Sequence, residues 1–211
     1  MSEDQQLPSD VERRPVTAKA ILEAMRSLPR EAFVPPGERG RASADAPLPI
    51  GYGQTISQPY IVILMTNLLK LTTEDKVLEI GTGSGFQAAL LSRLTRHVCT
   101  VETIRPLAEQ ARRNLEEQGC LEVRCRHGDG YSGWPEEAPF DRIIVTCAAS
   151  RLPPPLWKQL KPGGRIVVPI GGPCEIQSLM VYRKTLAGKQ EAEGVTSVRF
   201  VPLVRTLLEE E

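Results

Sequence analysis

The stretch VLEIGTGSGFQAALL, residues 77–91, decides the fold class. An apolar run ends in a glycine-rich turn, and a second apolar segment follows, which predicts a strand, a turn and a helix. Gly81 permits a tight turn, Gly83 lets a ligand approach the backbone, and Gly85 allows close packing. The spacing departs from the G-x-G-x-x-G fingerprint of dinucleotide sites, because Phe86 occupies the last glycine position. The pattern therefore disfavours a nicotinamide dehydrogenase.

Alternating strand and helix patterns continue on the C-terminal side of this unit. Strands are predicted at 76–81, 97–102, 123–130, 141–149 and 163–171, and helices at 86–94, 104–119 and 153–160. Gly119 is expected to end the second of these helices. Such alternation predicts an α/β fold with a doubly wound, mostly parallel, Rossmann-like sheet.

The flanking segments differ from this core. Helical periodicity predicts helices at 16–28 and 58–71, and the Pro- and Gly-rich residues between them predict a long irregular connection. Residues 177–185 and 195–204 predict a C-terminal antiparallel hairpin, with 187–194 as its loop.

Domain limits follow from these patterns. Residues 1–14 are expected to be a flexible tail and 15–211 a single domain. Within it, 15–72 would be an N-terminal helical and substrate-loop segment, 73–171 the cofactor-binding core, and 172–211 the C-terminal strands.

Composition excludes several classes of protein. The chain has 211 residues with 26 basic and 26 acidic side chains, which disfavours a bulk nucleic-acid binder. The five cysteines form no C-x-x-C pair, so neither a disulfide framework nor a zinc site is expected. No apolar secretory segment or membrane-length apolar run is present. We therefore expect a cytoplasmic monomer without a metal, a membrane partner or a nucleic-acid partner.

Acidic residues end three of the predicted strands, where ligands bind in open α/β sheets. A dinucleotide would place its pyrophosphate at the glycine loop and the helix N-terminus, where acidic residues are unfavourable. S-adenosylmethionine, by contrast, has no phosphate and carries an ammonium, a sulfonium and an adenosine. Glu79 could attract the ammonium or the region of the sulfonium, Glu102 could bind both ribose hydroxyls, and Asp129 could accept from the adenine amine. The alternative is a glycine turn that only packs, with acids at exposed strand ends.

The sequence offers no convincing general base. His97 begins a predicted strand and His127 lies beside a turn, so both are interpreted as structural. A carboxylate acceptor is already ionised near neutral pH and needs alignment rather than deprotonation. Thr146, Ala148 and Ala149 are small and could leave room for a peptide, or could simply end a strand.

Several motifs resemble the protein-L-isoaspartate O-methyltransferases, a family of class I methyltransferases that repair aged proteins. They are REAFVP, IGYGQTISQP, VLEIGTGSGFQAALL, HGDGYSGW, FDRIIVTCAA, LWKQLKPGGRIVVPIG and VRFVPLV, in order between about residues 15 and 204. The resemblance implies that S-adenosyl-L-methionine is the methyl donor and that isoaspartyl proteins and peptides are the partners. It also implies methylation of the free α-carboxylate, followed by succinimide formation and partial return to aspartate.

The resemblance and the charge argument together give the predicted site. The cofactor-binding set is Thr55, Ile56, Glu79, Gly81, Thr82, Gly83, Ser84, Gly85, Glu102, Asp129 and Gly130. The substrate-binding set is Gln54, Ser57, Thr146 and Ala148, and the resemblance makes Ser57 the active-site residue.

Two interpretations of Ser57 are open at this point. It precedes Gln58-Pro59, so it could be a simple N-cap of the following helix. The same helix entrance offers backbone N–H groups and a positive dipole end, which could hold the acceptor carboxylate.

Two other functions compete with the repair methyltransferase. One is a methyltransferase of the same fold that acts on a small molecule or RNA. The other is a non-enzymatic relative that binds the cofactor or a peptide without turnover.

Overall fold

The computed structural model describes residues 13–173 and 175–204. Its α-helices are α1 (Ala18–Arg26), α2 (Pro59–Leu69), α3 (Phe86–Ser92), α4 (Arg105–Glu117) and α5 (Pro154–Gln159), with short 3₁₀ helices at Arg30–Phe33, Pro36–Arg41, Gly130–Ser132 and Pro135–Glu137. Its strands are β1 (Leu48–Gly51), β2 (Gln54–Ile56), β3 (Lys76–Ile80), β4 (His97–Glu102), β5 (Arg124–His127), β6 (Phe140–Val145), β7 (Leu160–Ile170), β8 (Gln177–Lys184) and β9 (Gln190–Val198).

Seven strands form one sheet in the order β5-β4-β3-β6-β7-β8-β9. The pairs from β5 to β7 are parallel, whereas β8 and β9 add as an antiparallel hairpin. The predicted fold class is therefore confirmed. The strand order reverses between β3 and β6, and this reversal creates the crevice where ligands of such sheets bind.

The central strands are rich in apolar residues because both faces of the sheet are covered. Leu78, Ile143, Ile144, Ile166 and Val167 have no exposed surface, because they lie in two core clusters, one on each face of the sheet. Within the described residues, no helix is long and apolar enough to cross a bilayer.

The end of α4 follows the prediction for a glycine cap. Gly119 has a positive φ of 68°, and Cys120 N donates to Leu115 O at 2.8 Å. This arrangement binds carbonyl groups that the last helical turn leaves without partners.

The connection between α1 and α2 is more regular than predicted. It contains two 3₁₀ helices and the hairpin β1–β2, which closes with Gly51 opposite Gln54. Tyr52 and Gly53, the two residues of its turn, both have positive φ. Because two-residue hairpin turns of this kind need positive φ at both positions, the glycine-rich stretch forms a tight turn.

The predicted limits of the C-terminal hairpin were wrong. β9 begins at Gln190, and Arg183 pairs with Glu191 inside the segment predicted as a loop. The strand lies at the edge of the sheet, and residues 190–197 are all exposed. An edge strand does not need the alternating apolar pattern on which the prediction rested.

Candidate functional site

A cleft of about 770 Å³ lies at the carboxyl ends of β3, β4 and β6. The glycine loop forms one side of it, and the junction between β2 and α2 forms another. Its lining includes most of the predicted site residues: Gln54, Thr55, Ile56, Ser57, Glu79, Gly81, Thr82, Gly83, Ser84, Glu102, Gly130 and Thr146.

The glycine loop is held from two directions. Thr146 Oγ1 donates to Gly81 O at 2.6 Å. A Cβ built on Gly81 would lie only 2.6 Å from Thr146 Oγ1, so a side chain at position 81 would collide with this hydroxyl. Gly81 also has a φ of 94°, a backbone conformation that residues other than glycine rarely adopt. Thr146, predicted as a substrate contact, therefore fixes the first turn of the loop with its hydroxyl.

Glu102 joins the loop to the end of β4. Its Oε2 accepts from Gly83 N at 2.8 Å, and its Oε1 accepts from Thr103 N and Ile104 N at 2.9 and 3.0 Å. A carboxylate oxygen with one such bond can accept another. Glu102 Oε2 can thus bind a hydroxyl placed in the cleft.

Glu79 is fully buried beneath the loop. Its Oε2 accepts from Thr100 Oγ1 at 2.6 Å, whereas its Oε1 has no hydrogen-bond partner among the described residues. Burial raises the pKa of this carboxyl to about 8, with a smaller contribution from the charge of Glu102. A cation near Oε1 would favour the ionised form.

The charges of the cleft fit the predicted S-adenosylmethionine. Its described lining contains two acidic side chains, Glu79 and Glu102, and no lysine, arginine or histidine. A ligand with a sulfonium and an ammonium suits this lining, whereas a pyrophosphate would lack a cation to pair with. The apolar side chains of Phe86, Val101 and Ile104 also line the cleft and provide a surface for an adenine.

Ser57 is not the cap of α2, so that prediction was wrong. Gln58 occupies the N-cap position, and its side chain makes no capping bond. Asp45 binds there instead, since its two carboxylate oxygens accept from Tyr60 N and Gln58 Nε2, both at 2.9 Å. These two bonds hold the pKa of Asp45 below its usual value. The helix entrance proposed as a seat for the acceptor carboxylate is therefore already bound by Asp45.

Ser57 is consequently available for another role. Its hydroxyl has no recorded hydrogen bond among the residues that the structure describes, while its carbonyl accepts from Arg30 Nη2 at 3.1 Å. The serine lines the cleft and is half-buried.

Arg30 is a residue that sequence reasoning missed. It is only 6% exposed, and besides Ser57 it donates to the carbonyls of Ala42, Ala44 and Ala46 at 2.8 to 3.2 Å. Burial lowers the pKa of its guanidinium, although nearby Asp45 acts in the opposite direction. No local pattern in the sequence identifies its partners, because the carbonyls that it binds lie 12 to 27 residues away.

Three predicted residues lie outside the lining of the cleft. Gly85 packs on α4, where an added Cβ would lie 3.3 Å from Ala111 O. Asp129 caps the short helix at 130–132 by accepting from Tyr131 N. Ala148 exchanges backbone hydrogen bonds with Val201 and Leu203. Sequence reasoning placed residues 201–204 in a terminal strand and missed that they line the cleft.

A second depression, which we call the outer groove, adjoins the cleft and has a volume of about 1010 Å³. The two share Thr55, Ser57, Thr146 and Val201 as lining residues. A small ligand in the cleft and a larger one in the groove would therefore meet beside Ser57.

Comparisons with known proteins agree with this architecture. A family model described as protein-L-isoaspartate(D-aspartate) O-methyltransferase matches residues 2–208. The chain is 54% identical to protein-L-isoaspartate O-methyltransferase 2 of Syntrophobacter fumaroxidans over 87% of its length and 74% of that protein. It is 50% identical to a Polaromonas protein of the same name, over 90% of both chains.

Two solved structures resemble the fold. One, named protein-L-isoaspartate O-methyltransferase, has a TM-score of 0.81 and 32% identity over 89% of this chain, which spans 62% of that longer chain. The other, from Plasmodium falciparum, was solved in complex with S-adenosyl-L-homocysteine and has a TM-score of 0.76 at 22% identity, covering 90% of this chain and 93% of that one.

Proposed function

Because the chain belongs to the protein-L-isoaspartate(D-aspartate) O-methyltransferase family, we infer that it is an enzyme that methylates isoaspartyl residues of proteins, with S-adenosyl-L-methionine as the methyl donor. The observation that carries this inference is the junction of two cavities. An acidic cleft under a glycine loop meets an open groove at Ser57.

The bound cofactor would supply an electrophilic methyl group on a sulfonium. The residues proposed to hold it are Thr55, Ile56, Glu79, the loop 81–84, Glu102 and Gly130, while Gly85 would act indirectly by packing the loop on α4. Glu102 would accept from the ribose hydroxyls with Oε2, and Glu79 would pair its free Oε1 with the ammonium. Asp129 would act indirectly, by fixing the turn at Gly130.

The acceptor is proposed to be the free α-carboxylate of an L-isoaspartyl residue. This carboxylate is ionised near neutral pH, so the site needs to align it and exclude water rather than remove a proton. The unpaired hydroxyl of Ser57 would donate to one carboxylate oxygen and direct the other toward the methyl group. Gln54 and Thr55 lie on β2, just before Ser57, and would contact the polypeptide on either side of the isoaspartyl residue.

The resulting methyl ester starts repair without further help from the enzyme. The amide nitrogen of the next residue attacks the ester carbonyl, methanol leaves with the proton, and a succinimide forms. Hydrolysis of the succinimide returns part of the chain to normal aspartate.

Methyl incorporation tests this function. We expect label from S-adenosyl-L-[methyl-³H]methionine to enter an L-isoaspartyl peptide and not its aspartyl isomer, and to be released as methanol in mild alkali. Equal labelling of both isomers would contradict the proposal. Alkali-stable label in RNA or in a small molecule would favour the competing methyltransferase.

The remaining expectations are also proposals. We propose that residues 15–211 act as one cytoplasmic, monomeric methyltransferase domain without a nucleic-acid partner. The four described cysteines are free, which suits a reducing compartment. Gel filtration with light scattering measures the oligomeric state.

A further inference from the structure

The outer groove differs in charge from the cleft beside it. Among the described residues that line it, Arg199 is the one charged side chain and no acid is present. The full lining is Pro47, Thr55, Ser57, Gln58, Ile61, Thr146, Ile176, Ser197, Val198, Arg199, Phe200 and Val201. The two acidic residues of the site, Glu79 and Glu102, line the cleft but not the outer groove.

Arg199 is exposed and follows directly after β9. Within residues 13–173 and 175–204, no hydrogen bond or ion pair is recorded for its guanidinium. By contrast, Arg183, on the strand that pairs with β9, contacts Glu193. Arg199 therefore keeps its donors for a group outside the chain.

Apolar side chains surround this cation. Ile61 and Phe200 are half-buried in the lining, and Ile176 has 66% of its surface exposed. An exposed aliphatic side chain and a free guanidinium along one groove suit an extended polypeptide that alternates apolar and acidic side chains.

We propose that the outer groove binds the polypeptide that flanks the isoaspartyl residue, and that Arg199 selects substrates with a carboxylate side chain close to that residue. This inference rests on the proposed function and adds a sequence preference to it. The groove is continuous with the cleft at Ser57, so its occupant is the chain whose carboxylate is methylated. The size of the preference follows from the exposure of Arg199, because an exposed ion pair changes binding about two- to fivefold.

The test uses the full chain and short L-isoaspartyl peptides that differ at one flanking position. Glu, Gln or Lys is placed two residues before the isoaspartyl residue in one series and two residues after it in another. We expect kcat/KM in at least one series to rank Glu above Gln above Lys, with about a two- to fivefold step that shrinks at high salt.

Variants assign this preference to the residue. Arg199→Gln should make the three peptides equivalent, and Arg199→Glu should reverse their order. Arg151→Gln is the matched control, because Arg151 is also exposed and lines neither cavity. Thermal unfolding confirms that each variant is folded.

The outcomes are distinct. A wild-type enzyme that treats the three peptides alike in both series, or an unchanged preference in Arg199→Gln, overturns the assignment while leaving the methyltransferase function intact. Absence of labelling in every peptide, including those with Gln, overturns the proposed function and this inference with it.

Discussion

Replacement of Arg30 tests how the site is held together. Arg30→Met keeps a long side chain but removes all the donors that reach the carbonyls of Ala42, Ala44, Ala46 and Ser57. Because these carbonyls belong to two separate segments, the substitution should release the loop that carries Asp45 from the active-site junction. We expect both global stability and turnover to fall.

The magnitude follows from the hydrogen bonds. The two shortest, to Ala42 and Ala46, are 2.8 Å long, and a bond from a charged donor contributes about 1.5 to 3 kcal/mol. Burial of the guanidinium opposes part of that gain, so we expect Arg30→Met to lower the free energy of unfolding by about 2 to 4 kcal/mol. Loss of alignment at Ser57 should reduce kcat about ten- to a hundredfold.

Urea unfolding and steady-state methylation of an isoaspartyl peptide measure the two effects. Arg30→Lys should recover part of both, because an ammonium can reach some of these carbonyls but cannot span them as the guanidinium fork does. Arg26→Met is the control, since Arg26 is exposed and should change stability by less than about 0.5 kcal/mol. If Arg30→Met behaved like this control in both assays, Arg30 would not be what joins the loop of Asp45 to the active-site junction.

Three further predictions concern the cleft. Ser57→Ala should lower kcat about five- to tenfold while S-adenosylhomocysteine binding, measured by calorimetry, stays within about twofold; normal turnover would leave Ser57 as a backbone contact alone. Glu102→Ala should instead weaken cofactor binding about ten- to a hundredfold, and a wild-type dissociation constant would contradict the ribose assignment. Glu79→Gln should change the pH dependence of stability. Burial raises the pKa of Glu79 in the folded protein to about 8 from an ordinary value of 4.5, so between these pH values the native protein binds more protons than the unfolded chain. Stability therefore falls as pH rises, by up to about 1.4 kcal/mol per pH unit. Urea unfolding at pH 5 and 8 should show a smaller fall in Glu79→Gln, and equal falls would refute the assignment.

The central part of the fold was predictable because its signals are local. Strands such as β3 and β6 were predictable because most of their residues are apolar and buried, and the glycines at 81–85 follow β3 directly. Because Glu79 and Glu102 lie at or near the carboxyl ends of two parallel strands, both are expected at the same edge of the sheet as the glycine loop. Each of these inferences needed only neighbouring residues.

The remaining features depend on contacts between distant residues. The cap of α2 comes from Asp45, which precedes Tyr60 by 15 residues, and Arg30 reaches Ser57 across 27. A capping pattern within one window therefore pointed to Ser57, although the carboxylate of another segment binds there. The start of β9 was missed because an edge strand has no burial pattern to read.

That same edge strand has a consequence for a protein whose clients are damaged chains. An edge strand exposes unpaired backbone N–H and C=O groups, with which a loosely folded polypeptide can pair and start aggregation. Here Glu191 and Glu193 lie on the edge strand, and an irregularity in the pairing opposite Leu179 and Met180 interrupts it. Both features discourage strand addition, which makes β9 a poor template for the aggregation of the unfolding proteins on which the enzyme acts.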